Sequence, residues 1–224
     1  TGAGVGTHTL TVTANNGSAN YSVPVTSVVF IPGAVAFVKT DTQTQGTWKG
    51  VYGAEGVAIT NDVTNYPAYA QVSMSGQTPA TWAASTTDIR ALQKGSPTET
   101  DRIASTWWSS TSFNINVNLV DGNWHRVGIY CLDWDYNGRV ERVDVLDANS
   151  STVLDSRSLS SFANGTYLVW NLKGSVIIRI TLTGGGNVVA SGIFFDPPAS
   201  PDFSISASPT SQTVARGSNT TYNL

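Results

Sequence analysis

A flat indole standing in water beside hydrogen-bonding side chains is what the polarised C–H face of a sugar ring requires, and this chain carries seven tryptophans. Trp48, Trp82, Trp107, Trp108, Trp124 and Trp134 fall in or beside turns and strand ends. Trp48, Tyr52 and Trp82 fit the requirement best, each in a polar, Gly- or Thr-rich stretch. Trp107 and Trp108 are adjacent in a strand, so their side chains point to opposite faces and one of them, taken as Trp108, is expected outside the core. The alternative is that these indoles fill the interior, because aromatics dominate core burial; Trp170, in the apolar run YLVWNL, is expected there.

Two polar groupings accompany the rings. Asp88, Arg90, Asp101 and Arg102 bracket a possible helical turn in TTDIRALQKG and precede Trp107. In a chain with only 12% charged residues, a groove of Arg and Asp beside Trp82 would suit sugar hydroxyls, and surface ion pairs would explain the cluster equally well. The second grouping is DWDYNGRVERVD, where Asp133, Asp135, Asn137, Gly138 and Asp144 occupy positions 1, 3, 5, 6 and 12 of a calcium loop. Such a loop normally lies between helices, whereas GIYCLDW and RVERVDVLD read as strands, with Asn137-Gly138 as the positive-φ pair of a hairpin turn. On a strand, Arg139, Glu141 and Val143 face one way and Val140, Arg142 and Asp144 the other, so Asp144 reaches the loop only through a bulge. Without a cation, Arg139 and Arg142 would have to offset the repulsion between Asp133 and Asp135.

Catalytic patterns are poor. Asp133, Asp135 and Glu141 could offer two carboxyls for glycoside hydrolysis, but they fall within one short segment instead of across a cleft. His8 and His125 have no Ser or Cys motif nearby, no Gly-rich phosphate loop precedes a helix, and no Cys or His cluster suits zinc. The chain is read as noncatalytic.

The elements that must hold these residues are strands. Helical periodicity is nearly absent; short pieces such as GAVAFVK, YAQVSMSG, RIASTWW, FNINVNL, RVGIYCLDW, RVERVDVLD, TVLDSRSL, YLVWNL, SVIIRITLT and VVASGIFF alternate or run apolar between turns such as DGN, DYNG, ANSS, ANGT and GGGN. With 224 residues and a 40% hydrophobic fraction, the chain can build a substantial core, and its class is all-β, a sandwich. A formal net charge of -3 gives no basic field for nucleic acid or an anionic membrane surface, and no run approaches the roughly 20 apolar residues of a spanning helix. Cys131, the only cysteine, reads as a buried, inert thiol.

Composition divides the chain at VFIPGA and at the Pro-rich linker of residues 197–201. GTHTLTVTANNGSANYSVPVT, within residues 1–29, resembles the last strands of the immunoglobulin-like repeats of bacterial surface proteins, and DFSISASPTSQTVARGSNTTYNL, residues 202–224, resembles the first strands of another. Residues 33–196, through GTWKGVYGAEGVAI, STTDIRALQ, GIYCLDWDYNGRVERVDVLD, YLVWNLKGSVIIRIT and VVASGIFFD, resemble galactose-binding-like jelly-roll modules of bacterial surface or carbohydrate-active proteins. That resemblance implies a jelly roll, carbohydrate as a common partner and structural calcium as a frequent accessory. The expected role is noncatalytic glycan binding by a monomeric module of a secreted or cell-surface protein, its ends read as cuts from a longer chain. The expected ligand-binding set is Trp48, Tyr52, Trp82, Asp88, Arg90, Arg102 and Trp108, with Asp133, Asp135, Asn137 and Asp144 for a cation. The alternative is a structural spacer or adhesion module without sugar binding.

Overall fold

The computed structural model describes residues 32–198 in full, together with the backbone pairing of an outlying hairpin, β1 (Gly6–Asn15) with β2 (Asn20–Val29). The immunoglobulin-like readings of residues 1–29 rest on side chains outside the described residues, as does the whole of residues 202–224. From residue 34 the strands run β3 (Ala34–Asp41), β4 (Gly56–Ile59), β5 (Thr64–Asn65), β6 (Ala70–Ser75), β7 (Thr78–Thr86), β8 (Leu92–Gln93), β9 (Arg102–Ser109) and β10 (Ser112–Leu119). They continue with β11 (His125–Cys131), β12 (Val140–Asp147), β13 (Val153–Ser160), β14 (Thr166–Lys173), β15 (Ser175–Gly184), β16 (Val188–Ala190) and β17 (Gly192–Asp196).

Alternation along β10 shows why the chain makes two layers. Phe113, Ile115, Val117 and Leu119 are buried, while Ser112, Asn114, Asn116 and Asn118 face outward between them. β10 lies in a five-stranded antiparallel sheet ordered β13-β12-β15-β10-β6; opposite stands a six-stranded antiparallel sheet ordered β3-β14-β11-β17-β4-β5. A smaller sheet, β16-β9-β7 with β8 beside β9, flanks them. From β10 to β15 the chain passes repeatedly from one large sheet to the other, the wrapping of a jelly-roll sandwich. The main core joins Phe113, Ile115, Val143, Val145, Ile178 and Ile180 to Val127, Ile129, Leu168, Trp170, Ile193 and Phe195.

The six-stranded sheet is apolar on both faces. Between its core-facing residues lie Tyr130, Tyr167, Val169, Phe194, Val57 and Ile59, which form a second apolar cluster on the outer side with Trp48, Tyr52, Leu92 and Ile103. The cover is supplied by residues 42–55 and 87–93. They are stitched together where Gly46 N–H donates to Ile89 O at 2.9 Å and Gln93 N–H to Gly46 O at 3.0 Å. Only glycine serves at 46, because a Cβ there would overlap the carbonyl of Ala91.

Several expectations are corrected. Residues 86–95 form no helix; Asp88 N–H bonds Thr86 Oγ1, Arg90 N–H bonds the Asp88 carboxylate, and the chain then enters β8. DYNG is not a hairpin turn, because β11 and β12 belong to different sheets and the positive φ angles fall on Tyr136 and Gly138. GGGN likewise joins strands of different sheets. VVASGIFF is broken into β16 and β17 at Ser191, and β4, β5, β7 and β8 lacked an alternating pattern long enough to read.

Among the described residues, one carboxyl lies wholly inside the core. Glu141, fully buried beside Cys131, accepts a hydrogen bond from Val189 N–H at 3.0 Å, and Oε1 has no hydrogen-bond partner among the described residues. Burial pushes its carboxyl up to about 8. The folded protein therefore holds a proton that the unfolded chain releases near pH 4.5, so stability is full below that pH and falls progressively up to pH 8. A Glu141→Gln variant escapes this loss: its melting midpoint relative to wild type rises between pH 5 and pH 8, by the equivalent of about 2–4 kcal/mol. An unchanged difference across that range contradicts the assignment.

Candidate functional site

Among the described residues, the cover leaves a strip of the six-stranded sheet open. Outward-facing residues at the row Ala36, Asn171, Arg126 and Asp196 are direct neighbours across β3, β14, β11 and β17. Two cavities lie along this row. The larger, about 580 Å³, is bounded by Trp48, Lys49, Val51, Tyr52, Pro97, Arg126 and Asp196; the smaller, about 310 Å³, by Ala36, Trp124, Asn171 and Pro198. Arg126 in one and Asn171 in the other are paired across the strands, so the two cavities, together termed the trough, are neighbours along this row.

Trp124 is 39% exposed, and its position follows from strand alternation. His125, the next residue, turns inward, stacks on Tyr69 at 3.6 Å and pairs through Nε2 with Asp121 Oδ2 at 3.0 Å. Asp121 also takes the N–H of Asn123 at 3.0 Å, which fixes the DGN turn, and the Tyr69 hydroxyl donates to Glu55 at 2.6 Å. The indole at 124 is thereby held on the outer side with Arg126.

The trough wall joins apolar rings to unsatisfied polar atoms. Arg126 lies 5.8 Å over the Tyr52 ring, and its Nη2 is 3.5 Å from Asp196 Oδ1, which also accepts the Ala54 N–H at 2.9 Å. Asp196 is 1% exposed, yet its Oδ2 has no hydrogen-bond partner among the described residues, and neither has Arg126 Nε. Buried polar atoms are ordinarily paired, so an acceptor and a donor left over side by side mark a place where another molecule's hydroxyls could complete the bonding after a small side-chain shift. Lys49 stands at the rim, its Nζ donating to Ser96 O at 2.9 Å.

The expected ligand set is only partly gathered here. Trp48 and Tyr52 line the trough but do not stand in water as expected: they are 7% and 3% exposed, because the second face of the sheet needed a cover and took their rings. Trp48 leans on Phe194 and donates Nε1–H to Gln93 O at 2.7 Å. Tyr52 stacks on Tyr167 at 4.4 Å and donates to Asp41 at 2.6 Å; burial and this bond push its phenol up. Burial alone would raise the Asp41 carboxyl, but hydrogen bonds from Tyr52, Thr44 and Gln43 hold it below the usual range.

Trp82 and Trp108 lie elsewhere. Trp82 is half-buried with Arg139 5.5 Å over its ring, and Trp108 is half-buried against the main core, while Trp107 is buried in it. Asp88, Arg90 and Arg102 secure loops instead of lining a groove with Trp82. Arg90 grips the Asp88 carboxylate at 2.8–3.1 Å and donates to Ala163 O; this pairing lowers Asp88 from the usual range. Arg102 donates to Ala91 O and Thr47 Oγ1, and Asp101 pairs with Lys94 at 2.8 Å. Sequence reading named Trp124 as a turn indole but missed Arg126, Asp196, Asn171 and Lys49; the signal was the start of β11, WHR, where the alternate residues 124 and 126 share a face.

The cation set is not assembled. The Arg139 guanidinium pairs with both Asp133 and Asp135, and Asp133 also accepts the N–H groups of Asn137, Gly138 and Arg139 at 3.0, 3.0 and 3.3 Å. Asp144 points to the outer face of the five-stranded sheet, bonded to Ser156 at 2.6 Å and to Arg142 and Arg179. No group of three or more His, Cys, Asp or Glu side chains that could hold a metal occurs among the described residues, and Asp144 lies apart from Asp133 and Asp135, so the four are not gathered around one ion. Nor do Asp133, Asp135 and Glu141 flank a cleft, since Glu141 is sealed in the core.

No protein-family model and no curated protein matches the chain. Among solved structures, it is similar to a carbohydrate-binding module determined in complex with β-1,4-galactotriose, at 17% identity over 58% of this chain and 85% of that one, with a TM-score of 0.28. It is also similar to one of the β-sandwich carbohydrate-binding modules described as promiscuous in specificity, at 14% identity over 85% of this chain and 72% of that one, with a TM-score of 0.26. The ligands are properties of those proteins.

Since an arginine already occupies the place a cation would take, a chelator leaves the melting midpoint unchanged, whereas Arg139→Leu, which strands buried Asp133, costs about 3–5 kcal/mol. A midpoint lowered by chelator and restored by calcium contradicts this.

Proposed function

We propose that this chain is a noncatalytic carbohydrate-binding module of a secreted or cell-surface protein, and that the trough on the six-stranded sheet holds its glycan. The observation that carries the reading is the trough itself: an exposed indole, Trp124, on a rigid sheet, in line with Arg126 and with a buried Asp196 whose second oxygen lacks a partner. Trp124 offers its face to the C–H side of one sugar unit. Arg126 and Lys49 donate to ring and hydroxyl oxygens, and Asp196, buried beside Arg126, accepts from a hydroxyl only once its side chain rotates toward the trough. The trough is open along the sheet, which suits a polysaccharide segment more than a free monosaccharide. Two similar solved modules also being carbohydrate-binding agrees with this class of ligand.

Affinity electrophoresis in gels cast with β-1,4-galactan, xylan and other polysaccharides tests the reading. At least one gel retards the native chain, and Trp124→Ala and Arg126→Ala each weaken that retention roughly tenfold, the equivalent of about 1.4 kcal/mol. If no gel retards the native chain, the spacer or adhesion alternative stands instead, the burial of Trp48 and Tyr52 being what favours it.

A further inference from the structure

At the end of β11 away from the trough, the loop of residues 132–139 displays a ring that the fold does not need. Tyr136 is 69% exposed, and its φ of +55° is a left-handed conformation that bulky side chains rarely adopt. Neither feature helps folding: the ring buries little area, and the backbone there is strained.

The loop is nonetheless tightly determined. Three of its N–H groups, from Asn137, Gly138 and Arg139, converge on the buried Asp133 carboxylate, and Arg139 ties Asp133 to Asp135. Arg90 sits 5.0 Å from the Tyr136 ring and 4.7 Å from the Trp134 ring. Its guanidinium is fixed in turn by Asp88 at 2.8–3.1 Å and by the carbonyl of Ala163 at 3.0 Å. The ring is thus backed by a pinned cation and otherwise stands in water, so its rotamer freedom is already restricted before anything binds. A rigid exposed ring at the tip of a polar loop is the arrangement that stacking on a pyranose demands, and Asp135 and Asn137, both exposed, flank it.

We propose that Tyr136 is the platform of a second sugar-stacking site, taking the C–H face of one pyranose unit while Asp135 and Asn137 meet its hydroxyls. The inference shares the glycan ligand class of the reading above but not its site. Five steps of extended strand, about 17 Å, run from Arg126 to Cys131, beyond which the loop carrying Tyr136 begins, so the two sites draw on opposite ends of β11. Two sites on one module raise retention by a polymer through effective concentration.

The test uses the whole chain in gels of β-1,4-galactan, xylan and arabinan, comparing wild type with Tyr136→Ala, Tyr136→Trp and Trp124→Ala, with melting midpoints measured alongside. In the gel that retards wild type, Tyr136→Ala weakens retention roughly three- to tenfold. Tyr136→Trp restores it, the midpoints are unchanged, and the loss occurs whether or not Trp124 is intact. If Tyr136→Ala is retained like wild type while Trp124→Ala is freed, the second site is overturned and the trough stands. The reverse result upholds Tyr136 and overturns the trough. A loss that Tyr136→Trp fails to restore overturns stacking, and a wild type unretarded in every gel overturns both sites.

Discussion

The six-stranded sheet is apolar on both faces, and this constraint governs where a ligand can go. Tyr130, Tyr167, Val169 and Phe194 would cost several kcal/mol if left in water, so the chain devotes residues 42–55 and 87–93 to roofing them, with Trp48 and Tyr52 as the inserted rings. The roof stops short of the row Ala36, Asn171, Arg126 and Asp196. The open strip beyond it has an apolar wall on one side, a charged pair on its floor and Trp124 at its far end. Among the described residues, the trough is the strip of this two-sided sheet that segments 42–55 and 87–93 leave uncovered.

Charge is scarce, and where it occurs it mostly fixes loops. Arg139 holds Asp133 and Asp135, Arg90 holds Asp88, and Arg157 holds Asp155, which also accepts the Nε1–H of Trp170 at 2.7 Å. Each pair is partly or wholly withdrawn from water, where ion pairs with several hydrogen bonds specify geometry. Arg126 and Asp196 differ from the others. Their separation is longer, and each keeps an unpartnered atom, which is why that pair and not another is proposed for ligand contact.

Much of the sandwich was legible in the sequence, because β10 alternates strictly and β11, β14 and β15 are short apolar runs between turn residues. Burial of Trp170 and Cys131 followed from the same runs. A run such as GIYCL does not say that both of its faces are covered, nor by what, and that missing fact misplaced Trp48 and Tyr52. Their polar, Gly-rich surroundings belong to the roof's backbone turns, not to an exposed surface. The spacing of Asp133, Asp135 and Asn137 looked like ligands for a cation, but spacing cannot show that Arg139 folds back between the carboxylates or that the chain crosses to the other sheet before Asp144. Asp196 drew no attention because its significance lies in one unpaired oxygen.

The central claim is that the indole at 124 meets ligand while the roofing and core indoles do not. Seven indole N–H signals are resolvable by heteronuclear NMR of the labelled chain, assigned by single Trp→Phe variants and followed during titration with oligosaccharides cut from the polysaccharide that retards it. The account predicts a saturating shift of the Trp124 signal, with those of Trp48 and Trp170 stationary. A saturable shift confined to other indoles, with Trp124 unmoved, contradicts it.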